Sequence, residues 1–119
     1  MIRAAVLFCL IGSGALACGP DPDCMVGDRA YRIDLPDGPP QGAILFAHGY
    51  RGSAAGTMRN GGLRRIATER GLAFVALGSA DDDWDLPNAP RTVDEDGAAE
   101  MAYLDAVGTD IEARFEIPA

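Results

Sequence analysis

Two short, unbroken apolar runs flank a segment of helical periodicity, and that arrangement restricts what this chain can fold into. Ala43-Ile44-Leu45-Phe46-Ala47 and Leu72-Ala73-Phe74-Val75-Ala76-Leu77 contain no polar side chain. Runs of this length without alternation suit strands covered on both faces. Between them, over 57–70, Leu63, Ile66 and Ala67 fall at helical spacing, with Arg64, Arg65 and Glu69 opposite. Gly71 stands where a C′ residue belongs. Strand, helix and strand on short connections make a βαβ unit, so the two strands should be parallel.

The flanks extend this pattern. Arg29 to Leu35 alternates, with Tyr31, Ile33 and Leu35 on one face, as a half-buried or edge strand does. Pro36-Asp37-Gly38-Pro39-Pro40 reads as a turn. A long loop over 78–91 holds Asp81, Asp82, Asp83, Trp84 and Asp85, then Pro87 and Pro90. Thr92-Val93-Asp94-Glu95 reads as a capping box. The helix it opens should run to about Phe115, with Met101, Leu104, Val107, Ile111 and Phe115 as its apolar stripe, Gly108 as a weak point and Pro118 as its stop. The fold class is therefore α/β: a leading strand, then βαβα. Three strands and two long helices cannot cover both faces of a parallel sheet. The pattern predicts a domain that is incomplete within these residues.

The N-terminus reads as an export signal over 1–17. Arg3 supplies the positive start, Ala4 to Ile11 the apolar core, and Ala15-Leu16-Ala17 a small-x-small cleavage pattern. The apolar stretch is shorter than the roughly 20 residues a membrane span takes, so no transmembrane segment is expected. Export implies a secreted or periplasmic protein in an oxidising setting. Cys9 lies in the signal, while Cys18 and Cys24 sit in a Pro- and Asp-rich leader over 18–27, ahead of the domain over 28–119. A Cys18–Cys24 bridge would close a seven-residue ring, worth about 2 kcal/mol in the loop-entropy model. A lipid anchor on Cys18 is the competing reading, but Leu16 stands at −2 where a lipobox wants it at −3.

Charge narrows the function. Ten arginines, no lysine and 18 acidic residues give a net charge of −8, which argues against nucleic-acid partners and polybasic membrane binding. Without lysine there is no Schiff base and no P-loop. The informative stretch is Leu45-Phe46-Ala47-His48-Gly49-Tyr50-Arg51-Gly52-Ser53. An apolar strand ending in His-Gly, then a glycine-containing loop and a helix, suits a turn whose backbone N–H points at a developing oxyanion. Gly49 would let the chain turn sharply. His48 would pack under the loop rather than act as a base.

His48-Gly49-Tyr50-Arg51-Gly52-Ser53, together with Asp82-Asp83-Trp84, Pro87, Pro90 and the cysteines ahead of Tyr31-Arg32-Ile33, resembles exported esterases related to polyhydroxybutyrate depolymerases and feruloyl esterases. The resemblance spans about residues 18–119 and implies an α/β-hydrolase fold, a carboxylic ester or polyester substrate, and no cofactor or metal. It implies Tyr50, then Arg51, as oxyanion donors through the backbone, with His48 and Gly49 supporting the loop. The family's nucleophile sits in a G-x-S-x-G elbow. Ser13, Ser53 and Ser79 are the three serines, and none lies in such an elbow. The nucleophile, the acid and the catalytic histidine are therefore expected outside this sequence, leaving a chain that is inactive alone. Trp84 is either a plug on the core or a wall of the substrate cleft. Asp81, Asp82, Asp83 and Asp85 form a solvated acidic loop in preference to a Ca²⁺ site, because their spacing is not that of an EF-hand. The alternative class is an exported binding domain or lipoprotein without catalysis.

Overall fold

The computed structural model describes residues 17–89 and 96–118. All of the signal-type segment except Ala17, and the whole Thr92–Glu95 capping box, lie outside the described residues. Four strands, β1 (Cys24–Val26), β2 (Arg29–Asp34), β3 (Ala43–Ala47) and β4 (Ala73–Leu77), form one mixed sheet in the order β1-β2-β4-β3. Among the described residues, α1 (Ala54–Met58) and α2 (Gly61–Thr68) connect β3 to β4, and α3 (Ala98–Phe115) follows β4.

The parallel pair is β3 with β4, Ala43 opposite Ala73 and Ala47 opposite Leu77. β2 runs antiparallel to β4, with Tyr31 opposite Leu77, and β1 runs antiparallel to β2. Period-2 alternation sends Ala73, Val75 and Leu77 to one face of β4 and Phe74 and Ala76 to the other. The first set packs with Tyr31, Ile33 and Cys24 under Tyr103, Val107 and Ile111 of α3. The second packs under Ala54 and Met58 of α1 and Ala67 of α2. The result is a three-layer α/β arrangement with β4 buried on both faces.

Four sequence expectations are corrected. β3, read as covered on both faces, is an edge strand: Ile44 and Leu45 are 37% and 39% exposed. An apolar run shows what a strand could bury, whereas its place in the sheet decides what does cover it. Residues 24–26, read as irregular leader, form β1, turned by Gly27 in the left-handed region at φ +62°.

The expected single helix over 57–70 is two. Ser53 Oγ accepts from Gly56 N–H to open α1, and Asn60 Oδ1 accepts from Leu63 N–H to open α2, so Asn60 restarts the helix instead of continuing it. Ile66 consequently points to solvent, 53% exposed. Gly71, with φ +73°, does close α2: Gly71 N–H donates to Thr68 O and Leu72 N–H to Ala67 O, both at 3.1 Å. This bond pair is a Schellman motif.

α3 starts at Ala98, after Gly97 at φ +69°, rather than after Thr92. Its buried face is Glu100, Tyr103, Val107 and Ile111, with Leu104 and Phe115 partly buried, while Met101 is 57% exposed. A buried glutamate inside an apolar face is the departure a hydrophobic-periodicity reading does not anticipate.

Candidate functional site

The loops that leave the C-terminal ends of parallel β3 and β4 meet each other. Such ends are where ligands bind in open α/β sheets. After β3 the chain makes a four-residue turn, Gly49 to Gly52, closed by Gly52 N–H donating to Gly49 O at 2.9 Å. Its third residue, Arg51, is held left-handed at φ 58°, a conformation that costs a non-glycine residue about 1–2 kcal/mol. The requirement for glycine falls on Gly52, where a Cβ would lie 2.8 Å from His48 Cβ and Nδ1. Gly49 has open space around its Cβ position, so the sharp feature of the turn sits at Arg51 and Gly52 rather than at Gly49.

His48 is 6% exposed and uses both ring nitrogens. Nε2 accepts from Ser79 N–H at 3.3 Å, and Nδ1 lies 2.7 Å from Gly49 O. An acceptor at Nε2 requires the tautomer with its proton on Nδ1, which then donates to Gly49 O. The ring is thus a strut between two backbone groups.

The loop after β4 supplies the other side. Trp84 Nε1–H donates to His48 O at 2.7 Å, and Arg51 N–H donates to Asp82 O at 2.8 Å. The His48 and Trp84 rings lie 5.1 Å apart. Arg51 N–H is therefore already engaged. Among the described residues, no group accepts from Tyr50 N–H. The Tyr50 side chain is 57% exposed, with the Arg51 guanidinium 5.1 Å from its ring centroid.

A depression of about 220 Å³ opens beside the turn, on the α1 side of the sheet, lined by Arg32, His48, Gly52, Ser53, Ser79 and Asp81 among others. Neither Tyr50 nor Trp84 lines it. Ser53 Oγ serves as the α1 cap and Ser79 Oγ donates to Asp81 O. Both hydroxyls are held by backbone groups.

Trp84 is half-buried against the α3-side core and is backed by a group of residues the sequence reading did not single out. Arg29 lies with its guanidinium carbon 3.7 Å from the Tyr103 ring centroid and 5.6 Å from that of Trp84. It pairs with Glu100 at 2.7 Å and donates to Gly78 O at 3.0 Å. Glu100 also accepts from Asp85 N–H at 2.9 Å. The Tyr103 hydroxyl donates to Ala30 O at 2.8 Å and accepts from Gly78 N–H at 3.0 Å. Burial, foremost, pushes the Tyr103 hydroxyl above its usual range. A Cβ at Gly78 would sit 2.5 Å from Ala30 O, so only glycine allows this approach. The available signal was Arg29 on the Tyr31–Ile33 face and Glu100 on the Tyr103 face, opposite charges on two surfaces that must meet.

Cys18 and Cys24 are bridged, with Cα atoms 4.9 Å apart. Among the described residues no three His, Cys, Asp or Glu side chains converge as metal ligands, and no helix is long and apolar enough to cross a membrane. Set against known proteins, the chain matches no family model, no curated protein and no solved structure.

Proposed function

We propose that this chain is the N-terminal portion of a secreted serine-type carboxylic ester hydrolase of α/β-hydrolase fold, similar to polyhydroxybutyrate depolymerases and feruloyl esterases, and that it carries the oxyanion-binding turn. The carrying observation is that Tyr50 N–H has no acceptor among the described residues, on a turn where the two following donors, Arg51 N–H and Gly52 N–H, are already used. Attack on an ester carbonyl moves charge onto its oxygen. A preset backbone donor there is worth about 10²–10³-fold in rate. His48, with both nitrogens bonded to backbone, supports the turn and does not relay protons. The nucleophile, its histidine and its acid belong outside these 119 residues.

The test is hydrolysis of p-nitrophenyl butyrate. The 119-residue chain should show no turnover. The product of the full reading frame should be active through a serine in a G-x-S-x-G segment. Turnover by the 119-residue chain, or a full reading frame without that segment, overturns the reading.

A further inference from the structure

We infer that Trp84 is a positioning residue for the Tyr50 donor: its indole N–H, bound to the His48 carbonyl, holds the turn in the conformation that leaves Tyr50 N–H outward and unpaired. This rests on the reading of Tyr50 as the oxyanion donor. A trans peptide is planar, so the N–H of Tyr50 points opposite to the C=O of Gly49. Whatever holds Gly49 O inward therefore aims Tyr50 N–H outward. Gly49 O is held by Gly52 N–H at 2.9 Å and by His48 Nδ1 at 2.7 Å. His48 is in turn gripped at its ring by Ser79 N–H and at its carbonyl by Trp84 Nε1–H.

The geometry needs that grip. Arg51 sits in a costly left-handed conformation, and a short turn with such a residue relaxes when its outside restraints go. Beside Ser79 N–H on the His48 ring, the loop after β4 supplies two restraints on the turn backbone, Trp84 Nε1–H to His48 O and Asp82 O from Arg51 N–H, one on each side of Tyr50. Of these two, only the first comes from a side chain, so it can be removed by substitution without altering the turn itself. The indole is seated by Arg29 and Tyr103, the latter with its ring centroid 6.5 Å away, which ties the turn to the β2–α3 packing.

The experiment uses the ¹⁵N-labelled protein, Trp84→Phe, and a variant with 3-benzothienylalanine at position 84. The last keeps the ring volume and removes only the N–H donor, so it carries the test if Trp84→Phe does not fold. Two readouts are taken: amide exchange at Arg51 and Ser79, and the Tyr50 amide shift on titration with methylphosphonate, a tetrahedral anion. With the N–H removed, exchange at both amides should quicken and the apparent methylphosphonate affinity at Tyr50 should fall, each about fivefold, the size of one neutral hydrogen bond. Unchanged exchange, or unchanged affinity, overturns the positioning role. Absence of any Tyr50 shift in the unsubstituted protein overturns the oxyanion reading itself, and the positioning role with it.

Discussion

Arg29 of β2 and Glu100 of α3 form a 2.7 Å ion pair whose side chains are only 12% and 5% exposed. It is the charged link between the sheet and the helix that covers it. Glu100 also accepts from Asp85 N–H, so the same carboxylate ties down the acidic loop. Removing one partner strands the other charge in a desolvated site, which typically costs about 3–5 kcal/mol. Glu100→Gln and Arg29→Met should each lower the unfolding free energy measured by urea titration by that order. A loss below about 1 kcal/mol for both would mean that the pair is solvated in solution.

Alkaline stability should depend on Tyr31 and Tyr103. Burial first, then the 2.6 Å hydrogen bond to Asp110, raises the Tyr31 hydroxyl well above its ordinary 10.0. Tyr103 is raised in the same direction, by burial. A raised folded-state value means that the native state keeps its proton after the unfolded state has lost it. The contribution is therefore complete below pH 10 and declines above it, at up to about 1.4 kcal/mol per pH unit for each group. Denaturant midpoints measured from pH 8 to 12 should fall beyond pH 10. Tyr31→Phe should flatten that fall, and an equally steep decline in the variant would contradict the assignment.

The open edge of β3 predicts self-association. Ile44 and Leu45 are exposed on a strand paired on one side only, and the run Ala43 to Ala47 carries no charge to deter edge pairing. Leu45→Lys should cost less than about 1 kcal/mol, because the side chain is already more than a third exposed. It should also raise the concentration at which light scattering begins. Unfolding on this substitution would show that a partner covers Leu45.

The Cys18–Cys24 bridge should hold the leader onto the sheet. Cys24 is fully buried beside Tyr31 and Ile33, and Arg114 of α3 donates to Cys18 Sγ at 3.0 Å. Cys24→Ser should lower stability by about 2 kcal/mol, the ring-closure value. Intact-mass analysis of the mature protein should show no free thiol at either position. A diacylglycerol adduct on Cys18 would replace the bridge and restore the lipid-anchor reading.

The corrections share a cause. The parallel β3–β4 pair, the leading strand β2 and the Gly71 helix stop were legible because each follows from local pattern and backbone chemistry, whereas the antiparallel sense of β2 was not. The exposure of β3 was not legible, since it depends on how many neighbours the sheet gives a strand. The true buried face of α3 does not follow from hydrophobic periodicity: Glu100 belongs to it because Arg29 on β2 pairs with it, and only the opposite charges on the two facing surfaces hinted at that. At the site, the His-Gly turn stood out as a motif. The engagement of Arg51 N–H by Asp82 O, while Tyr50 N–H has no acceptor among the described residues, joins residues 31 positions apart and has no sequence signature.

By itself the sequence determined the types of the longer elements, the α/β class, the cysteine pair within ring-closing reach and the acidic net charge. Those follow from short-range periodicity, turn chemistry and composition. Only the tertiary structure decided which strand is central and which is an edge. It also decided which donors of the His48–Gly52 turn are used and that Trp84 reaches the His48 carbonyl. These rest on hydrogen bonds and burial between segments brought together by the sheet, and the contribution of each depends on a partner far along the chain.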